Sequence, residues 1–235
     1  MSQPEFDRYS GSYEELLKDP IRDRFMGSGP QFFHLRKRDL IREYFGARGI
    51  DTRKLRYLDV GCGKGELLSL LRGDFLQIAG CDPSPGMLSS SQGMETRVQE
   101  DSCRIPFADA AFDFVTAVCV YHHVPPSSRL ALTREAHRVL RPGGVFAIVE
   151  HNPYNPVTRL IVSRTPVDAD ATLLRPSEAG EWMRMAGFNC HAPRYFLYFP
   201  EPIYRRAGDR LERLLRSVPL GGQYAIFGSK RSSNP

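Results

Sequence analysis

The chain has 235 residues, 41% hydrophobic and 25% charged, a composition that is ordinary for a globular protein and excludes gross disorder. It contains no run near the roughly 20 apolar residues that span a bilayer, and its polar N-terminus lacks the pattern of a secretory signal. We therefore expect a cytoplasmic protein with no stable membrane insertion. The net charge of +5 leans towards an anionic small-molecule partner, and the five widely spaced cysteines predict neither a disulfide framework nor a zinc site.

Helical patterns come first and strand–helix alternation follows. Residues 1–54 carry two helical patterns, of which QFFHLRKRDLIREYF (31–45) is a clear amphipathic helix. From residue 55 onward short apolar runs alternate with helical patterns, which predicts βαβ units around a parallel sheet. The predicted strands are 56–60, 76–82, 96–101, 112–121 and 145–150, with late strands at 194–199 and 223–228.

Two later segments stand apart from this alternation. The connection 151–176 holds four prolines and is long for a compact domain, which is typical of a functional loop. A basic amphipathic helix around 202–217 carries an apolar stripe that includes Leu211, Leu214 and Val218. This stripe indicates an ordinary surface helix packed on the protein, with a membrane-contact helix as the alternative.

The strongest motif is Asp59-Val60-Gly61-Cys62-Gly63-Lys64-Gly65, which joins the first predicted strand to a helix. Glycines leave room for a ligand to approach the backbone, and the free N–H groups of a helix N-terminus can hold an anion. The spacing differs from the G-x-G-x-x-G dinucleotide fingerprint, and the chain has no G-x-x-x-x-G-K-[ST] phosphate loop.

This D-x-G-x-G-x-G turn resembles the first motif of the class I methyltransferases that use S-adenosylmethionine (AdoMet). Four more features follow in that family's order: Asp82, Asp101, I-P-F-x-D-x-x-F-D at 105–113, and L-R-P-G-G at 140–144. The resemblance implies an α/β fold with a doubly wound, seven-stranded, mostly parallel sheet in the order 3-2-1-4-5-7-6. It also implies a single domain, with 1–54 as an N-terminal helical cap, 55–235 as the AdoMet-binding core and 151–176 as the substrate loop.

The resemblance further implies which residues bind AdoMet and its product, S-adenosylhomocysteine (AdoHcy). Asp82 ends the second strand, where an acidic residue accepts hydrogen bonds from ribose hydroxyls. Asp101 and Ser102 meet the adenine amino group, and Arg36 pairs with the methionine carboxylate. Asp59 contacts the cofactor or orients the glycine turn through backbone N–H groups. The predicted cofactor-binding residues are Asp59, Gly61, Gly63, Asp82, Asp101, Ser102, Cys119 and Arg36.

Histidines follow two neighbouring predicted strands, and ligands of open α/β sheets bind at the carboxyl ends of strands. We expect His151, and after it His122, to act as general base, with a structural histidine as the alternative for each. Adjacent His122 and His123 cannot easily chelate one ion and no carboxylate stands four residues on, so no metal is expected. The predicted substrate contacts are Tyr121, Asn152 and Arg159.

The predicted reaction is methyl transfer from AdoMet to a small-molecule or lipid- or glycan-linked acceptor, in natural-product or surface-glycan biosynthesis. The alternatives are a non-catalytic subunit of the same fold and an aminopropyl transferase, which should lack a cation for the methionine carboxylate. Nucleic acid is not an expected partner, because the chain has no D/N-P-P-[FYW] tetrad and its arginines are scattered. The acceptor, the methylated atom and the choice between monomer and homodimer stay open.

Overall fold

The computed structural model describes residues 5–26, 29, 31–91, 93–101 and 103–232. Its strands form one sheet in the order β3-β2-β1-β4-β5-β8-β6, with β7 also paired to β8. β1 to β5 are parallel, whereas β8 runs antiparallel to β5, β6 and β7. The strands are β1 Arg56–Val60, β2 Gln77–Asp82, β3 Glu95–Val98, β4 Phe112–Val118, β5 Leu140–His151, β6 Phe188–Cys190, β7 Arg194–Phe196 and β8 Gln223–Lys230.

Helices cover both faces of this sheet. They are α1 Tyr13–Leu16, α2 Pro20–Met26, α3 Gln31–Gly46, α4 Glu66–Leu71, α5 Pro85–Leu88, α6 Pro126–Val139, α7 Pro156–Val162, α8 Pro176–Met185, α9 Glu201–Ile203 and α10 Asp209–Leu215. Within the described residues no helix is both long and apolar enough to cross a membrane.

The edge of the sheet beyond β8 differs from the prediction, because two short strands lie there in place of one. β6 pairs with the second half of β8 and β7 with its first half, so the two together fill one strand position. The interruption falls at His191–Pro193, where proline has no N–H to donate to a ladder. The doubly wound fold and its strand order are confirmed, whereas the prediction of one strand at 194–199 is incomplete because it omits β6.

Two apolar cores lie on opposite faces of the sheet. One is built from α6 and α8 against β4, β5 and β8, with Leu132, Val139 and Met183 fully or almost fully buried. In the other, α3 packs on the sheet: the Tyr44 ring stacks on Phe227 of β8 at 3.9 Å. Aromatic side chains of this size dominate core energetics because each removes a large apolar area from water. Segment 31–46 is therefore anchored to the sheet, with the carboxyl ends of the parallel strands beside it.

Candidate active site

The glycine turn after β1 lies against the end of β2. Gly61 and Cys62 both donate their N–H groups to the carbonyl of Cys81, at 2.8 and 3.0 Å. Gly61 (φ +69°) has no room for a side chain, because a Cβ would lie 2.4 Å from the Val120 side chain. At Gly63 (φ +54°) the corresponding position is open, with no atom within 4 Å. The turn therefore leaves its backbone accessible to a ligand at Gly63.

Asp82 connects the end of β2 to this turn. One carboxylate oxygen accepts the Gly63 N–H and the other accepts the Ser84 N–H, both at 2.9 Å. The side chain is buried, which raises the pKa of Asp82. Each oxygen can accept a further hydrogen bond, so Asp82 is fixed beside the open glycine and keeps acceptor capacity for hydroxyl groups.

Asp59 does not orient the glycine turn, contrary to one of the two roles expected for it. Its Oδ1 accepts the Thr116 hydroxyl at 2.6 Å, while the turn is held by the Cys81 carbonyl and by Asp82. Burial raises the pKa of Asp59 to about 7. Asp59 is thus a buried carboxyl whose charge at neutral pH depends on a neighbouring cation.

The third predicted acid follows a shorter strand than expected. β3 ends at Val98, and Asp101 lies exposed in the next loop, where its Oδ1 accepts the Cys103 N–H at 2.8 Å. Ser102 lies outside the described residues. The assignment of Asp101 to the adenine amino group remains a prediction.

The cation that reaches this site is Lys37 and not Arg36. Arg36 points away from it and donates to Glu212 at 2.8 Å and to Asp209 at 2.6 Å, so both acids of α10 already pair with its guanidinium. Lys37 is 6% exposed, its Nζ lies 3.8 Å from Cys119 Sγ, and its charge also acts on Asp59. The expectation for Arg36 is wrong because successive helix residues are about 100° apart.

Cys119 ends β4 in a left-handed conformation, φ +56°, which is uncommon for a residue with a side chain. Its sulfur lies 3.4 Å from Gln223 Nε2 and is also hydrogen-bonded to His151. Although burial disfavours a thiolate, Lys37 and His151 lower the pKa of Cys119 to about 7. The sulfur is thus surrounded by donors at the point where a cofactor on β1 and β4 would lie.

A buried ionic cluster stands beside it. His122 Nδ1 lies 2.5 Å from Glu150 Oε2, and His122 Nε2 lies 3.5 Å from Asp168 Oδ1. Burial opposes a charged imidazole, but the two carboxylates outweigh it and raise the pKa of His122 to about 10. His122 therefore carries its proton at neutral pH, and the pKa of Asp168 is held well below its usual range by the histidines.

This charge state bears on the role expected for His122. Because the Glu150 and Asp168 carboxylates flank its two ring nitrogens, His122 is placed as a buried donor, and its role as general base stays a prediction. The His151 ring lies next to it, with ring centroids 5.1 Å apart, and is half-buried. His151 and Cys119 are thus two titratable side chains beside the ionic cluster.

Two of the predicted substrate contacts face elsewhere. Tyr121 is fully buried in the core, where its hydroxyl pairs with Thr133 at 2.8 Å. Asn152 is also fully buried, and its amide donates to the carbonyls of Pro219 and Gly221 at 3.0 and 2.7 Å. Both are wrong as substrate contacts because their polar atoms hold the fold. Arg159 is exposed on α7, away from the buried cluster.

The N-terminal segment supplies site residues that the sequence analysis missed. Burial and the negative charges at Cys119 and Asp168 raise the pKa of Tyr13. Arg22 donates to the Leu17 carbonyl at 3.0 Å, and Tyr13, Asp168 and Cys119 are its electrostatic neighbours. Nothing in local spacing marks these residues. They join the site because 5–26 folds over it, with Asp7 bonded to Ser84 at 2.6 Å.

A metal ion is chemically conceivable at the ionic cluster. Ligand atoms of His122, His123 and Asp168 lie within 4.8 Å of one another. Asp168 is far from the two histidines in the sequence and comes from the loop 151–176, so spacing along the chain does not reveal this group. Ion pairs with carboxylates already account for both imidazoles, and the expectation of no metal stays a prediction.

Comparison with known proteins agrees with this geometry. Residues 58–148 match the sequence profile of a family described as methyltransferase domain. A 27-O-demethylrifamycin SV methyltransferase of Amycolatopsis mediterranei is 27% identical over 180 residues, 68% of this chain and 63% of that protein. A ubiquinone biosynthesis O-methyltransferase of Xanthomonas oryzae is 29% identical over 191 residues, 72% of this chain and 77% of that protein. Other curated relatives are matched over only about half of their length, 49% and 45% in two cases.

A solved structure shows the same fold. A SAM-dependent methyltransferase of Thermotoga maritima superposes with a TM-score of 0.67 and 18% identity, covering 96% of this chain and 98% of that one. The matched profile begins within β1 and ends within β5, so it contains the glycine turn, Asp82, Cys119 and His122. On these grounds residues 58–148 resemble the methyltransferase-domain family, and the chain has the fold of this SAM-dependent methyltransferase.

Proposed function

We propose that this chain transfers the methyl group of AdoMet to a small-molecule acceptor and releases AdoHcy. The observation that carries the proposal is the meeting of two groups at one end of the sheet. Asp82 and the open Gly63 form a nucleoside-binding edge, and His151, Cys119 and the His122 cluster lie on the adjacent strand ends. A sulfonium is already an activated leaving group, so the protein has mainly to align the acceptor and exclude water.

The cofactor residues follow from this arrangement. Asp82 would accept from the ribose hydroxyls, Asp101 would face the adenine, and the turn at Gly61 and Gly63 would carry the backbone contacts. Lys37 would pair with the methionine carboxylate, in place of Arg36. A buried cation at this position favours AdoMet over its decarboxylated form and hence methyl transfer over aminopropyl transfer.

His151 is the proposed general base. His122 already holds a proton between two carboxylates, so it can donate to an acceptor oxygen but cannot take a proton from it. His151 is the neighbouring imidazole; Glu150 and Asp168 interact with it electrostatically, but it forms no ion pair with a carboxylate among the described residues. A base matters most for an acceptor with a weakly acidic hydroxyl, and the rifamycin and ubiquinone relatives support an oxygen acceptor. We place the reaction in natural-product or surface-glycan biosynthesis.

An anionic acceptor would find its cation at Arg22. Burial lowers the pKa of Arg22. The groups whose negative charge acts against this effect are Tyr13, Asp168 and Cys119. Arg159 is a weaker candidate because it is exposed on the outer side of α7. A non-catalytic subunit of this fold is less well supported, since a scaffold has no use for an enclosed cluster of titratable groups.

The test compares His151→Gln with wild-type protein in two measurements. Transfer of a labelled methyl group from AdoMet to a panel of phenolic and sugar hydroxyl acceptors should fall by about 10²–10⁴-fold in the variant. AdoHcy affinity by calorimetry should stay the same. His191→Gln, an exposed histidine beside β6, is the matched control and should keep its turnover. Wild-type protein that does not bind AdoHcy would indicate the scaffold, and His151→Gln with normal turnover would remove His151 as the base.

A further inference from the structure

The C-terminal helix α10 buries an acidic residue and exposes leucines, whereas an ordinary surface helix buries its apolar side. On α10 the acidic Glu212 is buried, accepting from Arg36 Nη2 at 2.8 Å and from the Leu197 N–H at 2.7 Å. Leu214 is 80% exposed and Leu211 is 42% exposed. The apolar stripe that predicts a packed face therefore points to solvent, and a buried ion pair holds the helix on the protein instead.

α7 shows the same reversal beside it. Its polar Thr158 is buried and donates to the Gly222 carbonyl at 3.0 Å, while Val157 and Leu160 are exposed. The two elements are joined, because the Asn155 amide donates to the carbonyl of Leu220 at 2.6 Å. We call the surface formed by the exposed side chains of 154–164 and 203–220 the outer face. Its exposed apolar side chains are more numerous than soluble monomers usually present on two neighbouring segments.

The charge of the outer face identifies its partner. Segments 154–164 and 203–220 hold seven arginines and two acidic residues, and three of the arginines, Arg164, Arg205 and Arg216, pair with Asp19, Glu201 and Glu43 outside these segments. Both acidic residues, Asp209 and Glu212, are bonded to Arg36. Arg159, Arg210 and Arg213 are exposed, and none of them joins an ion pair with another described residue. Exposed leucines flanked by unpaired arginines fit a surface that is apolar inside and negatively charged outside.

We propose that the outer face docks on an anionic lipid bilayer, with Leu160, Leu214 and Leu220 entering the headgroup region and the arginines meeting lipid phosphates. Interfacial binding of this kind grows with the apolar area buried and with attraction to anionic lipid. α7 lies between His151 and Asp168 in the chain, so the docked face includes part of the connection between these two site residues. The inference concerns binding alone and does not require methyl transfer.

The test is sedimentation of the full-length protein with vesicles. Wild-type protein should pellet with vesicles of phosphatidylcholine and phosphatidylglycerol but not with phosphatidylcholine alone, and salt should weaken binding. Leu214→Glu should reduce the affinity at least tenfold, and each change of Arg210 or Arg213 to Gln should reduce it about fivefold. Leu76→Glu is the matched control, because Leu76 is 67% exposed just before β2, outside the outer face.

Three results would overturn the proposal. They are wild-type protein that stays in solution with anionic vesicles, equal loss of binding in Leu76→Glu and Leu214→Glu, and a wild-type dimer that Leu214→Glu converts to monomer in sedimentation velocity. The last result would assign the outer face to a second copy of the chain. AdoHcy affinity and thermal stability of Leu214→Glu should equal those of wild type, since Leu214 packs on little of the protein. That readout separates failure of docking from failure of the proposed enzyme.

Discussion

Replacing Glu150 by Gln tests the ionic cluster with little change of shape. The amide oxygen can still accept the Tyr121 N–H, which lies 2.7 Å from Glu150 Oε1, but the negative charge beside His122 Nδ1 is lost. A pKa moved from 6.5 to about 10 corresponds to about 4–5 kcal/mol of extra stability when His122 is protonated. Removing one partner of a buried ion pair has a cost of similar size, about 3–5 kcal/mol.

The pH dependence gives this prediction its sign. The pKa of His122 is higher in the folded protein, so its stabilisation is complete below pH 6.5 and is lost as the pH rises through about 10. The free energy of unfolding of wild type should therefore exceed that of Glu150→Gln by about 4 kcal/mol at pH 7 and by only about 1–2 kcal/mol at pH 9. These values are upper limits, because Asp168 still faces His122 in the variant. The pKa of Cys119 is lowered to about 7 in the folded protein, so its ionisation stabilises both proteins as the pH rises. This contribution largely cancels in the difference between them.

The assay is urea denaturation at pH 7 and pH 9, followed by the fluorescence of Trp182, the only tryptophan in the chain. Glu95→Gln, on the exposed edge strand β3, is the control and should match wild type at both values of pH. A difference between wild type and Glu150→Gln that stays constant from pH 7 to pH 9 would refute the reasoning. The loss would then come from packing and not from the His122 charge.

Two further predictions concern the cofactor. Lys37→Met should weaken AdoHcy binding by about 10–150-fold, the equivalent of one hydrogen bond to a charged group. Arg36→Met should keep the AdoHcy affinity of wild type and lose thermal stability. Equal affinities of the two variants in calorimetry would contradict the placement of Lys37. Asp82→Asn keeps one oxygen for a backbone N–H and should still fold. Its AdoHcy binding should be at least tenfold weaker, because a charged acceptor becomes neutral. Unchanged affinity would remove Asp82 from the ribose site.

The sequence predicts the central sheet well because its strands are buried on both faces and appear as apolar runs. The glycine turn also marks the end of β1 and the start of the next helix. The sequence predicts side-chain direction less well. Lys37 could have been chosen over Arg36, since it shares one helical face with Ile41, Tyr44 and Phe45, which are buried apolar residues of α3. Asp168 and Tyr13 could not have been found, because only the tertiary fold brings them to His122 and Cys119.

The place of β8 constrains how the chain can be made. This last strand lies inside the sheet, between β5 and the broken edge formed by β6 and β7. A nascent chain that lacks 223–230 leaves the hydrogen-bonding edge of β5 unpaired and β6 and β7 without a partner. Such contacts between distant parts of a chain form late and expose strand edges to aggregation meanwhile. Completion of the sheet therefore waits until 223–230 have left the ribosome, and loss of these residues would harm folding more than a similar loss from an exposed segment.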